Sequence, residues 1–184
     1  MLRPLRATGA KDVSSVRLAV PGDAQELWRL TMMAHKENAL RSLALDRIQW
    51  MMNRVLYPAL IPPGDMGPRG VIGVVGSEGA LKAIAVMVIG QFWYTHEKHL
   101  EELIVYCDPK FRREHHDGQY HIEALVQWMK DQADHTGLPL LTGVMSNDRA
   151  EAKVRLYRRL LGNPIGAFFF VTPKGSNLAV ATSS

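Results

Sequence analysis

The chain has 184 residues, 47% hydrophobic and 22% charged, the balance of one ordinary globular domain that can bury a core without staples. A formal net charge of +4 mildly favours anionic partners, nucleic acid or a phosphate-bearing cofactor, and equally fits a protein that is merely basic. One cysteine excludes an internal disulfide and a Cys-rich zinc site, no apolar run is long enough to span a bilayer, and no secretory signal is visible, so a cytoplasmic location without membrane contact is the default expectation.

Residues 1–14 mix Arg, Gly, Ser and Lys without periodicity and read as a mobile arm, and residues 173–184 as a polar tail, leaving 15–172 as a single domain. Ser15 to Val20 alternate as a short strand. Pro21-Gly22-Asp23 then turns the chain, with Asp23 or Gly22 as helix cap and Glu26 completing a capping box. Leu27, Leu30 and Thr31 continue one helical face. Apolar residues return at helical spacing from Leu43 to Ile61, until Pro62-Pro63-Gly64 stops them. Gly70 to Gly76 and Leu81 to Tyr94 form a hairpin about Ser77-Glu78-Gly79-Ala80, and the unbroken apolar run of the second strand suits a central, two-sided position. Gly90 marks a bulge or bend, and Trp93 and Tyr94 either pack or line a cleft.

Leu103 to Cys107 is an apolar strand that stops at Asp108-Pro109. A basic loop runs from Lys110 to Asp117, and Gly118 opens a long amphipathic helix with Ile122, Leu125, Val126 and Met129 on one face. Strand, polar loop with glycine and helix N-terminus together form a layout that aims backbone N–H groups at a phosphate. Gly137-Leu138-Pro139 ends that helix and Leu140 to Met145 is a short strand. Asn147-Asp148 caps a last helix to about Leu161, with Ala152, Leu156, Tyr157 and Leu160 inward, and Phe168 to Val171 is a final strand.

Three of these stretches, in order, resemble the GNAT superfamily of N-acetyltransferases. The opening VRLAVPGDAQELWRL is similar to I-R-x-A-x-x-x-D-A-x-x-L-x-x-L, with Arg17, Ala19, Asp23, Ala24, Leu27 and Leu30 in register. Leu100 to Ala133 resembles the family's acetyl-CoA segment, a strand ending V-x-P, an Arg/Gln-x-x-Gly-x-Gly/Ala loop and a helix. The run from Asn147 to Gly162 resembles N-x-x-A-x-x-L-Y-x-x-x-G-F through Asn147, Ala150 or Ala152, Tyr157 and Gly162. The resemblance implies an α+β, α/β/α-layered fold, a mostly antiparallel mixed sheet flanked by helices. It implies transfer of an acetyl group from acetyl-CoA to an amine acceptor, without a metal. In that reading Tyr106, Cys107 and Asp108 meet the pantetheine and thioester, and Tyr157 protonates the departing thiolate.

The loop departs from the motif. With Gly118 as the motif glycine, His115 stands at the Arg/Gln position and Tyr120 at the second small position; with Arg112 or Arg113 as the arginine, His115 or His116 replaces the first glycine. Arg112, Arg113 and protonated His115 and His116 compensate by charge-assisted bonds to the pyrophosphate, or the loop is a solvated basic segment. Asn147 binds the CoA arm or is only an N-cap. Glu102 is the candidate general base, and strand alternation sets it on the face of Ile104 and Tyr106; a pair of solvated charges with Glu101 is the plain reading. His115, His116 and His121 lack a metal-ligand spacing. The rival function is a GNAT-like protein without catalysis, a binding or structural component with protein partners or a second copy of itself. In that reading it resembles divergent phage-encoded members and serves as a virion component. A nucleic-acid-binding module is the third reading, though no recognition helix or aromatic-basic platform is evident.

Overall fold

The computed structural model describes residues 15–38, 70–112, 117–146 and 150–166. The expected arm, the helix from Leu43 to Ile61, the strand from Phe168 and the tail lie outside these residues. Strand β1 (Arg17–Leu18) and a 3₁₀ turn, Pro21–Asp23, lead into α1 (Ala24–Lys36). Strands β2 (Gly70–Ser77), β3 (Ala80–Gln91) and β4 (Lys98–Cys107) follow. The one-turn helix α2 (Pro109–Arg112), the long α3 (Asp117–Thr136), β5 (Leu140–Leu141) and α4 (Ala150–Leu161) complete the described chain. The sheet order is β1-β2-β3-β4-β5, with antiparallel pairs up to β4 and a parallel pair between β4 and β5. This is an α+β, GNAT-like fold.

The sheet separates two apolar clusters, which is why β3 is apolar on both faces. On one face Leu27 and Leu30 of α1 pack against Ile72, Val74, Leu81, Ile84, Val86 and Tyr106. On the other, Leu125, Val126 and Met129 of α3 and Tyr157 of α4 pack against Ala83, Ala85, Met87, Leu100, Val105 and Cys107. The apolar faces expected for α1 and α3 are therefore the buried ones. Gly137, with φ of +68°, follows the last turn of α3 in the left-handed conformation that ends a helix.

Several local expectations change. Asp23 does not cap α1 through its side chain. Its buried carboxylate takes a two-point ion pair from Arg17 (2.7 and 2.9 Å) and accepts the N–H groups of Val20 and Gly79. Glu26 likewise serves Arg29 and the N–H of Leu81 rather than a capping box. Strand β3 ends at Gln91, short of Trp93 and Tyr94, which stand exposed in the connection to β4. Gly90 pairs in register with His99 and is no bulge; a Cβ there would lie 2.6 Å from the His99 ring, so glycine makes room for the imidazole. Residues 110–112, expected as loop, are helical, because Pro109 fits a first helical turn and Asp108 caps it through Lys110 N–H (3.0 Å). Ala152 faces solvent, while Leu156, Tyr157 and Leu160 turn inward.

Burial alone would raise the carboxyl groups of Asp23 and Asp108, but ion pairs with Arg17 and Arg29 and backbone N–H bonds outweigh it and hold both below the usual range. Hydrogen bonding to Arg29 lowers Glu26 as well. Groups depressed in the folded state take up protons first in the unfolded one, so their contribution is complete above the ordinary carboxylate value and lost as pH falls through the folded values. Urea unfolding midpoints should therefore be level near neutrality and fall once pH drops below about 4. Asp23→Asn should lower the neutral midpoint and flatten that acid decline.

Candidate active site at the fork between β4 and β5

Strand β4 does not run straight. Val86 pairs with Ile104 and Met87 with Glu102, so Leu103 is an extra residue with no partner on β3, a β-bulge. A bulge reverses the alternation of faces. Glu102 therefore lies opposite Met87, on the α3 and α4 side with Val105 and Cys107, and not on the face of Ile104 and Tyr106 as strict alternation requires. Among the described residues β5 pairs with β4 only at Leu100↔Leu140 and Glu101↔Leu141. From Glu102 onward the two strands part, and the site sits at that fork.

The Glu102 side chain is 3% exposed and fully engaged. Its Oε2 accepts the Tyr157 hydroxyl at 2.7 Å, and its Oε1 accepts Lys153 Nζ at 3.0 Å. The ammonium also stands 5.2 Å from the Tyr157 ring centre. Helix α4 makes this possible, because residues four apart share a face. Burial first, and then the Glu102 charge and hydrogen bond, push the Tyr157 phenol well above its ordinary value. The structure thus joins the two side chains expected to be catalytic and adds Lys153, which the sequence reading did not single out. The signal available was its i,i+4 spacing to Tyr157 on one helix face.

The residues expected to meet a cofactor divide. The N–H of Asp108 donates to Lys82 O of β3 (2.9 Å), and successive strand N–H groups point to opposite neighbours, so those of Cys107 and Val105 face the fork. The side chains of this segment hold the fold. Asp108 caps α2 and pairs with Arg29 at 2.6 Å, Cys107 is buried, and the Tyr106 hydroxyl donates to Glu37 at 2.8 Å. Burial, then the bond to Glu37, raises the Tyr106 phenol. Arg112 does not stand free for a phosphate. It binds Glu37 (2.8 Å), donates through Nε to Cys107 O (2.7 Å) and lies over the Tyr106 ring. Gly118 falls in the first turn of α3. Arg113, His115 and Asn147 lie outside the described residues. Among the described residues no group of three His, Cys, Asp or Glu is placed to hold a metal ion, and no helix is long and apolar enough to cross a membrane.

No protein-family model matches the chain, and no curated protein matches it. Solved structures do. A possible acetyltransferase from Clostridium difficile 630 superposes with a TM-score of 0.59 at 15% identity, over 86% of this chain and 96% of that one. An integron cassette protein from the mobile metagenome of Cole Harbour Salt Marsh gives 0.57 at 18% identity, over 90% and 94%. An aminoglycoside acetyltransferase from an uncultured soil metagenomic sample, in complex with trehalose, gives 0.57 at 10% identity, over 87% and 96%. At these identities the likeness shows a shared fold. The likeness to phage-encoded proteins finds no support in them.

Arg112→Ala should remove the cation from Glu37 and the Nε donor from the Cys107 carbonyl and cost about 1–3 kcal/mol, measured by urea unfolding. In an ultraviolet phenolate titration, Tyr157→Phe should remove one of the highest-titrating tyrosines and leave the lower transitions in place.

Proposed function

We propose that this chain is a GNAT-type acyltransferase that moves an acetyl group from acetyl-CoA to an amine. The observation that carries the reading is the Tyr157–Glu102 hydrogen bond at the fork of β4 and β5. A buried carboxylate is costly unless it is paired, and here both of its oxygens are engaged by groups suited to proton transfer. The acetyltransferases among the structural neighbours support the same reading at the level of the fold.

The donor fits the fork in kind. The N–H groups of Val105 and Cys107 face the side where β5 has withdrawn, the direction from which a thioester carbonyl is polarised. Acetyl-CoA would supply an activated acyl group and a thiolate leaving group. Glu102 takes a proton from the acceptor amine, directly or through one bridging water, as the amine adds to the acyl carbon. Tyr157 gives its proton to the sulfur as the carbon–sulfur bond breaks. The proton held by Glu102 then returns to Tyr157 along their hydrogen bond, and the pair is restored.

The order of events answers an apparent difficulty. A tyrosine with a raised pKa is a poor acid while its neighbour is ionised. Once Glu102 is protonated the neighbouring charge is gone, and the phenol becomes more acidic when the thiolate forms. Cys107 and Asp108 frame the pantetheine side, with Cys107 acting through its main chain. Gly118, Arg113, His115 and Asn147 remain candidates for the phosphate arm. The acceptor is an amine small or extended enough to enter the fork.

One observation favours a second reading, a GNAT-like binding protein without catalysis. Arg112 is taken up by Glu37 and Cys107, so that residue brings no free charge to a pyrophosphate. Calorimetric titration with acetyl-CoA and release of free thiol in the presence of an amine panel separate the two. The enzyme reading expects micromolar to submillimolar binding and turnover. Tyr157→Phe should lower kcat roughly 10²- to 10⁴-fold with donor affinity unchanged. Full activity in Tyr157→Phe would remove it from the acid role, and no binding at millimolar donor would favour the non-catalytic reading.

A further inference from the structure

Lys153 lies outside the acid and base assigned above, yet it touches both. Its Nζ is 3.0 Å from Glu102 Oε1 and 5.2 Å from the centre of the Tyr157 ring, and its side chain is 20% exposed. The groups around Glu102 explain why this matters. Met87 on β3 and Leu125, Val126 and Met129 on α3 are apolar. Among the described residues, the buried or half-buried titratable side chains of that layer are Tyr157 and Lys153 on α4, His121 on α3 and Cys107 on β4. The Arg159–Glu123 pair is partly exposed. Glu101 and His99 lie on the opposite face of β4, one residue or three from Glu102 across the alternation. Among the described residues, Lys153 is the cation in contact with the Glu102 carboxylate.

We propose that Lys153 is the positioning residue of the proton-transfer pair, holding Glu102 ionised at rest and staying beside the negative charge as it moves to Tyr157. The inference rests on the acyltransferase reading for its catalytic consequence, and on geometry for the resting state. A carboxylate 3% exposed, with only a phenol as partner, would favour its neutral form. In that form it donates a hydrogen bond and cannot accept the amine proton. With the ammonium at Oε1 the carboxylate keeps its charge, and Oε2 is left to orient the phenol. During turnover the charge leaves Glu102 as it gains a proton and appears on Tyr157 as it loses one. The ammonium contacts the carboxylate and stands 5.2 Å from the centre of the phenol ring, so its charge acts on both groups without its moving.

The test is a carbon-13 NMR titration of the Glu102 carboxylate in the full chain, assigned by its loss in Glu102→Gln. At a given acidic pH the Glu102 signal in Lys153→Met should lie further toward the protonated form than in wild type, and in Lys153→Arg it should return toward the wild-type position. Lys153→Gln gives the same reading should Lys153→Met not fold. With a turned-over amine, the acid limb of the kcat/KM profile should move with the carboxylate, and acetyl-CoA affinity should stay unchanged. A carboxylate that titrates alike in wild type and both neutral variants overturns the proposal and leaves Lys153 a structural ion pair. A shifted carboxylate in a protein that acetylates no amine sustains the clamp and refutes the acyltransferase reading instead.

Discussion

A single unpaired residue, Leu103, decides which side of the sheet the Glu102 carboxylate enters. Without the bulge, alternation would carry Glu102 to the α1 face beside Ile104 and Tyr106, where α4 cannot reach it. With it, Glu102 lies in the layer of α3 and α4, opposite Met87 and within hydrogen-bond distance of Tyr157 and Lys153. The same strand loses its β5 partner after Glu101. One insertion and one divergence therefore bring together a buried carboxylate, a tyrosine and main-chain N–H groups that, among the described residues, face the fork.

The remaining buried charges do different work. Asp23 with Arg17 binds the start of α1 to β1 and to the β2–β3 turn. Arg29 links Glu26 to Asp108 and to the Leu81 carbonyl, joining α1 to β3 and to the end of β4. Glu37, just past α1, meets Tyr106 and Arg112. All three lie toward the α1 side, and each supplies its carboxylate with nearby donors, as a partly buried charge requires. They fix β4 and its exit into α2. The Glu102 cluster stands apart from them on the other face, where we propose the proton chemistry takes place.

How far the sequence disclosed this depends on the range of the interaction. Leu27, Leu30 and Thr31, the hairpin at Glu78-Gly79, the central place of β3 and the inward face of α3 follow from local periodicity, and the structure has them. The bulge could not be read, because Glu101-Glu102-Leu103-Ile104 contains no glycine, proline or pattern break to mark an extra residue. Asp23 had the spacing of a cap, but the half-buried Arg17 of β1 engages its carboxylate in place of the helix terminus. Arg112 looked available for phosphate because its partner, Glu37, is 75 residues away. Tyr157 was found through its motif, and Lys153 was passed over because its partner lies 51 residues earlier on another element.

The central claim is that the Glu102–Tyr157 pair at the fork is where the acyl group changes hands. The direct measurement is a crystal structure of the chain with acetyl-CoA bound. The account predicts the thioester in the fork, its sulfur within hydrogen-bond reach of Tyr157 Oη and its carbonyl facing the N–H of Val105 or Cys107. A donor bound with its sulfur on the α1 face of the sheet, or away from Tyr157 altogether, would contradict it.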